Sequence, residues 1–507
     1  MLIRSGVSIA CLTFISRVFG LFRDLLIASS FGTDYIADSV NVAFRLPNLF
    51  RNIFAEGAIS IAFVPLFNRQ LHSSNENARQ FASSVCLLLL IVLSIILILM
   101  EIYMPFIINI IAHGFYDNQE KFDLTILLCR ITMPYLILIS IISLMASMLN
   151  SIRKFTAFAA VPIILNIGII ISMLIPTNNL TMSAFNFSVS ILFSGLLQLI
   201  VMAYCIKRSN LSLSIFTKIK YNKDIKRFFR NLIPITFGSG VQQINILISQ
   251  SLTSVIPGAI SIIAYADRLF QFPLAIIGIT FNTILLPELS KAYHNKDIER
   301  IKILQNTAVK IGVFLSIPSS LGIILLSKWI IRIIYQHGEF TINDTINTAY
   351  VLSIFAIGLP AAILTKILNP VFYANNNTKT PLKISMYVIA INISLNIILM
   401  IKFGYFGIAT GSAISSWCHL YFLYKYTYRD KLLFVSKNLI SFIIKIIICS
   451  VIMIIGLHLI NLYYADYLFG GKLIDSVMIL FFQIICGFLI FTITAFCFKL
   501  HKALHVN

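Results

Sequence analysis

Residues 16–24 read SRVFGLFRD and residues 44–56 read FRLPNLFRNIFAE, and both runs lie inside long apolar stretches of the chain. They place four arginines where membrane-spanning helices are expected: Arg17, Arg23, Arg45 and Arg51. A guanidinium at the centre of a bilayer helix costs about 2.5–3.5 kcal/mol, so such residues normally face a protein-lined, hydrated cavity. Because a guanidinium donates two hydrogen bonds at once to a phosphate, several arginines in one cavity favour an anionic substrate.

The composition of the whole chain indicates a membrane protein with many spans. Of its 507 residues, 58% are hydrophobic and 11% are charged, whereas about a quarter are charged in soluble domains. We predict an all-α polytopic membrane protein with 14 transmembrane helices, each near or above the ~20 residues that cross a bilayer. The predicted spans are approximately 6–30, 35–67, 81–111, 124–149, 156–176, 184–206, 228–256, 259–290, 304–335, 346–373, 382–401, 404–424, 438–463 and 474–498.

The net charge of +20 is distributed as a topology signal. If the N-terminus is cytoplasmic, the outer loops contain only Lys121, Lys402 and Lys472, while the other loop lysines and arginines lie inside. This asymmetry predicts that both termini are cytoplasmic. It argues against a nucleic-acid partner. The first span contains charged residues and no small-residue cleavage site follows it, so we predict a retained helix and not a signal peptide.

The eight cysteines are scattered singly through apolar runs. None forms a CxxC pair or has a His at ligand spacing, so neither a disulfide framework nor a zinc site is predicted. We predict no metal and no cofactor, and we interpret the cysteines as small packing residues.

An internal duplication organises the chain. Four landmarks recur in the same order at an offset of about 223 residues: Arg45-Leu46-Pro47 with Arg268-Leu269, Phe63-Val64-Pro65-Leu66 with Leu285-Leu286-Pro287-Glu288, His113-Gly114-Phe115 with His337-Gly338-Glu339-Phe340, and Pro134 and Asn150 with Pro360 and Asn376. Each copy holds six predicted spans, so both copies begin on the same side of the membrane. Such parallel repeats are related by an axis along the membrane normal and hold substrate between them.

This duplication predicts three parts of the chain. Residues 1–222 form an N-terminal six-helix lobe, residues 223–433 form a C-terminal six-helix lobe, and residues 434–507 form two extra transmembrane helices. The two extra helices have no partner in the repeat.

Polar residues follow one face of the second predicted span at intervals of three and four: Asp38, Asn41, Arg45, Asn48, Asn52 and Glu56. This spacing puts them on one side of a helix, and a polar stripe of that length cannot face lipid. Pro47 interrupts the helix and frees a carbonyl that a cavity or a neighbouring group must satisfy.

Two interpretations of these charges stay open. Intramembrane charges often pair with each other, and Asp24 and Asp38 would allow structural salt bridges. For Arg45 and Glu56 the two interpretations are balanced. For the other arginines a substrate role is favoured because they outnumber their acidic partners: Arg17, Arg23, Arg51 and Arg268. Lys366 and Arg130 are weaker candidates.

The residues themselves resemble a known family. Residues 16–24, residues 44–51 (FRLPNLFR), residues 54–58 (FAEGA) and residues 62–65 (AFVP) are similar to the MurJ (MviN) lipid II flippases. Residues 265–269 (YADRL) and the stretch from Thr378 to Lys383 extend the resemblance through the second copy, so that it covers essentially the whole chain.

The resemblance implies a member of the multidrug/oligosaccharidyl-lipid/polysaccharide exporter superfamily. Such a protein moves the undecaprenyl-pyrophosphate-linked peptidoglycan precursor, lipid II, from the inner to the outer leaflet by alternating access. The resemblance thus implies a multi-pass protein of the bacterial plasma membrane, which is the inner membrane in a Gram-negative cell. It works among membrane lipids, and cell-wall synthesis proteins are candidate partners. The extra helices would form a groove for the lipid tail.

The resemblance also implies roles for individual residues. The essential cavity arginines of the family fall on Arg17, Arg23, Arg51 and Arg268, where they would bind the pyrophosphate. The family's carboxylates of the first two helices fall on Asp24 and Asp38, and with Arg45, Glu56 and Asp267 they would set the cavity charge or gate it. Some members bind sodium through a carboxylate on the seventh helix, but residues 228–256 contain no Asp or Glu. Sodium coupling therefore stays open, with the membrane potential as the alternative driving force.

Three other functions are weighed against this one. A flippase for another polyprenyl-linked glycan would use the same cavity, whereas a drug or cation exporter would need an acidic one. A membrane glycosyltransferase or phosphatase would need clustered acidic metal ligands or a nucleophile with its base. No loop of this sequence carries either, so we predict a transporter and not an enzyme.

Overall fold

The computed structural model describes residues 2–214, 223–375, 377–429, 437–470 and 472–500. The described residues are helical or irregular and contain no strand. The α-helices are α1 Leu2–Phe31, α2 Tyr35–Phe50, α3 Ile59–Ser73, α4 Asn75–Ile102, α5 Met104–Ile111, α6 Gln119–Thr132, α7 Tyr135–Ser151, α8 Thr156–Leu174, α9 Leu180–Arg208, α10 Lys223–Ser254, α11 Ala259–His294, α12 Ile298–Tyr335, α13 Ile342–Ala374, α14 Lys379–Phe403, α15 Tyr405–Arg429, α16 Lys437–Tyr463, α17 Tyr467–Gly470 and α18 Leu473–Cys497.

The all-α membrane fold predicted from the sequence is confirmed. Ten helical stretches of the described chain are long and apolar enough to cross a membrane. Four predicted spans are helical but fall outside these ten, namely α1, the α2–α3 helix, α10 and α15. The count of fourteen therefore remains a prediction.

Two predicted spans are broken where a proline falls. Span 81–111 divides at Tyr103 into α4 and α5, and Pro105 lies in the first turn of α5. Span 124–149 divides into α6 and α7 at Pro134. Proline suits a first helical turn because it has no N–H to leave unbonded there, whereas inside a helix it removes one backbone hydrogen bond and favours a kink or a break.

The second predicted span is one continuous helical path from Tyr35 to Ser73 with a π-helical segment, Arg51–Ala58, between α2 and α3. Pro47 lies inside α2 and does not break it. Because Pro47 has no N–H, the carbonyl of Ala43 loses its helical partner. The hydroxyl of Thr132 on α6 donates to that carbonyl at 3.0 Å, which confirms that a neighbouring group satisfies it.

The helices pack into two compact units, residues 1–261 and 262–507. The first unit includes α10 and the first turn of α11, up to Ser261. The predicted lobes 1–222 and 223–433 and the extra pair 434–507 rest on the sequence repeat and stay predictions. Residues 215–222, 430–436 and Asn376, a repeat landmark, lie outside the described residues.

Each unit has its own packed interior. In the first, the ring of Phe63 stacks on Phe67 and Phe81 at centroid distances of 5.1 and 5.4 Å, and Phe228 of α10 meets it edge-on at 6.2 Å. In the second, α12 packs against both α13 and α16. Side chains of α16 and α18, among them Phe442, Ile446 and Phe491, are buried on α12.

Candidate functional site

Arg23 lies at the centre of a buried polar cluster, the Arg23 cluster, formed with Asp24, Phe44 and Asn166. Its side chain donates to Asp24 Oδ1 from Nε at 3.0 Å and from NH2 at 2.6 Å. NH1 donates to Asn166 Oδ1 at 2.8 Å, and the guanidinium carbon lies 4.7 Å from the centroid of the Phe44 ring. Arg23 is 6% exposed and Asp24 is 8% exposed.

The helices of the first unit explain this arrangement. Asn166 on α8 accepts from Arg23 and donates from Nδ2 to the carbonyl of Ser16 on α1 at 3.0 Å, so it joins the two helices. Phe44 comes from α2, and its other side meets Phe187 of α9 edge-on at 5.9 Å. Arg23 is therefore fixed by three helices at once. The pairing of intramembrane charges, which the sequence left open, is realised for Arg23 and Asp24.

Asp38 forms a second buried cluster, the Asp38 cluster, with Lys121, Gly258 and Ser261. Lys121 Nζ donates to Asp38 Oδ2 at 2.8 Å. The backbone N–H groups of Gly258 and Ser261 donate to Asp38 at 2.9 and 3.0 Å, and the Ser261 hydroxyl donates at 2.8 Å. Asp38 is fully buried and Lys121 is 5% exposed. The carboxylate caps the first turn of α11, where the N–H groups of a helix favour an anion.

Glycine at two positions permits this close packing. Gly258 has a φ of +73°, and a Cβ there would lie 2.5 Å from the carbonyl oxygen of Thr33. A Cβ on Gly114 would lie 2.3 Å from Cα of Val255. A side chain at either position would clash with backbone, so Gly258 can lie against Thr33, and Gly114 against Val255, only because neither glycine has a Cβ.

The polar stripe of α2 faces α10 and the start of α11. Arg45 NH1 donates to Gln250 Oε1 at 3.2 Å, and Asn41 Nδ2 donates to the Ser261 hydroxyl at 3.3 Å. The half-buried side chain of Arg51 belongs to the first residue of the π segment. Glu56 belongs to the same segment, and its side chain lies outside the described part of the structure.

The remaining predicted residues are divided between the two units. Arg17 is half-buried on α1 of the first unit. In the second unit Arg268 is exposed on α11, and the neighbouring half-buried Asp267 accepts from Gln271 Nε2 at 3.3 Å.

Sequence reasoning missed the partners of these charges. Asn166 and Gln250 are single amides in long apolar helices, and nothing in their local sequence marks them. Lys121 was interpreted as a loop residue, although it lies in the first turn of α6 and is buried with its ammonium 3.9 Å from the Phe115 ring centroid. The sequence did offer one signal: Lys121 directly precedes an apolar span, and Asp38 lies near the start of another span that begins on the same predicted side of the membrane.

An apolar pocket of about 330 Å³ lies in the second unit. We call it the apolar pocket. It is lined by α12, α13, α15 and α16, through Gln305, Asn306, Val309, Leu364, Leu368, Trp417, Leu420, Tyr421, Tyr424, Leu439, Ile440 and Ile443. Aliphatic and aromatic side chains dominate this lining, so the pocket suits an alkyl or prenyl chain.

Polar contacts fix the other end of the extra helices to α12. Trp329 Nε1 donates to Asn461 Oδ1 at 2.6 Å, and Arg332 NH1 donates to the carbonyl of Tyr467 at 2.7 Å. Residues 329 and 332 lie near the C-terminal end of α12, whereas the pocket residues 305, 306 and 309 lie near its N-terminal end. Residues 461 and 467 therefore contact one end of α12, while α16 lines the pocket at the other end.

Comparison with known proteins gives consistent matches. A family model described as Lipid II flippase MurJ matches residues 27–478. A protein of Rickettsia prowazekii (strain Madrid E) named probable lipid II flippase MurJ is 48% identical over 498 residues, 98% of this chain and 98% of that relative. A protein of Rhizobium tropici with the same name is 37% identical over 434 residues, covering 84% of this chain and 81% of the relative.

Solved structures agree with these matches. A lipid II flippase MurJ in an inward closed conformation is 29% identical with a TM-score of 0.83, covering 98% of this chain and 100% of that one. An inward-facing multidrug resistance MATE family transporter is 14% identical with a TM-score of 0.70, covering 84% of this chain and 98% of that one. The second likeness concerns the fold alone.

Proposed function

Because the chain belongs to the lipid II flippase MurJ family, we propose that it moves lipid II from the inner to the outer leaflet by alternating access. The observation that supports this activity is the family match over residues 27–478. The chain is a multi-pass protein of the inner membrane, and in the proposal both of its termini are cytoplasmic. Its substrate is the lipid-linked peptidoglycan precursor, and cell-wall synthesis proteins are proposed partners.

In the proposal the pyrophosphate of lipid II binds a set of arginines: Arg17, Arg23, Arg51 and Arg268. The support is physical. Arg23 is held in place before substrate arrives, and a preorganised guanidinium loses little entropy on binding an anion. Asp24 occupies the edge of Arg23 formed by Nε and NH2. A pyrophosphate competes with the Asp24 carboxylate for these two donor atoms of Arg23. Asp24 therefore lowers the affinity of Arg23 for the pyrophosphate and assists release of the substrate.

The remaining charges are proposed to set the cavity charge or to gate it: Asp24, Asp38, Arg45, Glu56 and Asp267. The Asp38 cluster supports a gating role, because one carboxylate ties α2 to α6 and to the start of α11. Loss of the hydrogen bonds of Asp38 would let α2, α6 and the start of α11 move apart.

The activity is tested by depletion. Expression of this chain in a strain depleted of its own lipid II flippase is expected to restore growth and to lower the lipid II that accumulates in the inner leaflet. Failure to restore either, with the protein present in the membrane, would contradict the proposed function. An Arg79→Lys variant is the positive control, since Arg79 is an exposed residue whose ion pair with Glu76 spans 3.8 Å.

Thiol labelling is expected to find the four arginine positions in one hydrated cavity open to the cytoplasm in at least one state. Single cysteines replace Arg17, Arg23, Arg51 and Arg268 in a background without the eight native cysteines. A membrane-impermeant maleimide should label them in inside-out vesicles, and lipid II should slow the labelling. Ile98→Cys, exposed by 58% on apolar α4, is the matched position that should stay unlabelled. Protection of all four sites in every condition would argue against the cavity.

The apolar pocket supports a role for residues 434–507 in holding the polyprenyl tail. Removing them is expected to leave a core that still inserts, because the sequence repeat ends before residue 434 and the packing of its two copies does not require the extra helices. Binding of lipid II should weaken, while binding of a short-chain analogue should not change. Membrane expression and affinities of truncated and full-length protein provide the measurement. If the truncated protein no longer inserts, or if it binds and flips lipid II as the full-length protein does, the proposed role of residues 434–507 is contradicted.

A further inference from the structure

A group of polar side chains in the second unit has no role in the site described above. Thr365, Lys366 and Asn369 come from α13, and His419 comes from α15. Thr365 is 7% exposed. Within the described part of the chain, Thr365 Oγ1, Asn369 Oδ1 and His419 Nε2 are buried and have no hydrogen-bond partner. A buried polar atom left in this state costs about 1–3 kcal/mol, so three of them on two neighbouring helices need an explanation.

Lys366 supplies a positive charge beside these atoms. Its side chain is exposed, and its Cγ lies 3.4 Å from the position a Cβ would take on Gly278 of α11. His419 comes from α15, which packs directly against α13. Lys366 belongs to no ion pair in the described part of the chain. Asn369 follows Lys366 by three residues and Thr365 by four, so the three side chains are neighbours on the helix surface.

Two faces of α13 differ in chemistry. Leu364 and Leu368 line the apolar pocket, whereas Lys366 lies about half a helical turn away from Leu364. On α15, Tyr421 lines the same pocket, and His419 lies about half a turn from it. The pair of helices therefore has the apolar pocket on one side and polar groups on the other.

A peptide fits the polar side better than a phosphate does. Asn369 Oδ1 is an acceptor and needs a donor, while the Lys366 ammonium has only donors. Phosphate oxygens at neutral pH accept hydrogen bonds and would leave Asn369 Oδ1 unsatisfied. A peptide end offers both kinds of group, because its carboxylate accepts from Lys366 and His419 and its amide N–H donates to Asn369.

We propose that Lys366, Asn369 and His419 bind a carboxylate and an adjacent amide in the peptide portion of the lipid-linked precursor. This inference rests on the proposed function, and it assigns to the second unit the recognition of a part of the headgroup that the arginines do not contact. Thr365 supplies a hydroxyl that can donate or accept at the same place.

The test compares three ligands on the purified full-length protein: lipid II, lipid II with its peptide carboxylates amidated, and undecaprenyl pyrophosphate. Lys366→Gln removes a charge-assisted hydrogen bond, so it should weaken lipid II binding about tenfold or more. Binding of undecaprenyl pyrophosphate should not change. Wild-type protein should bind the amidated ligand about as weakly as the variant binds lipid II.

Asn369→Ala provides a second variant, which should weaken both peptide-bearing ligands and leave undecaprenyl pyrophosphate unaffected. Lys402→Gln, at an exposed lysine in the last turn of α14, is the matched control and should bind all three ligands as the wild type does. Equal loss for all three ligands with Lys366→Gln, or no loss for any, would overturn the peptide site and leave the flippase proposal intact. Wild-type protein that binds none of the three ligands would contradict the proposed function itself.

Discussion

An Asp38→Asn variant is expected to unfold at a markedly lower temperature than the wild type. The substitution leaves the buried Lys121 ammonium without its carboxylate, and breaking a buried ion pair from one side costs roughly 3–5 kcal/mol. It also turns an amide N–H₂ group toward the N–H groups of Gly258 or Ser261, which donate to Asp38. Thermal unfolding of the purified protein, followed by fluorescence, measures the loss.

Three further variants separate the ion pair from other causes: Glu120→Gln, Lys121→Met, and Asp38→Asn combined with Lys121→Met. Glu120→Gln changes an exposed carboxylate that accepts from Tyr35 Oη at 3.1 Å, and it should cost less than about 1 kcal/mol. Asp38→Asn combined with Lys121→Met removes both charges, so its loss should be smaller than the sum of the two single losses. Additive losses would mean that Asp38 and Lys121 are not coupled, and an unaffected Asp38→Asn protein would mean that the carboxylate stabilises nothing.

The sequence predicted the elements of this fold better than their contacts. The spacing of the polar residues in α2 placed Asn41 and Arg45 on one helical face, and the structure places both against neighbouring protein. The carbonyl freed by Pro47 was expected to find a donor and does so in Thr132. These features are local, since helical periodicity and the missing N–H of proline are properties of a few consecutive residues.

Partners distant in sequence could not be predicted. Asn166 lies 143 residues from Arg23. In a hydropathy profile it is a single polar residue that only slightly lowers the mean hydropathy of an apolar span. The π segment has no local signal either. Pro47 suggested a break at its own position, but α2 continues through it because the Thr132 hydroxyl donates to the freed carbonyl. The helix changes from α to π only at Arg51, in a segment against which α7 and α10 pack. π segments inside α-helices occur frequently at functional sites, which agrees with the position of Arg51.

Arg23→Lys is expected to abolish complementation of a flippase-depleted strain. A lysine presents one nitrogen, so it cannot donate to Asp24 from two atoms and also reach Asn166 and lie over Phe44 as Arg23 does. Each lost hydrogen bond to a charged group is worth about 1.5–3 kcal/mol, so the folded protein should also be less stable. Asn166→Ala releases the guanidinium without removing it, and it should lower flipping less than Arg23→Lys does.

Arg268→Lys separates substrate binding from folding. Arg268 is exposed on α11, so the substitution should change thermal unfolding little, yet it removes the planar fork that a pyrophosphate can engage with two hydrogen bonds. Flipping in the depleted strain should therefore fall about tenfold or more for one lost charge-assisted bond. Arg79→Lys on the exposed end of α4 should match the wild type in both measurements. If Arg23→Lys and Arg268→Lys both sustain full growth, only the positive potential of these residues matters, because a point charge would then serve as well as the guanidinium.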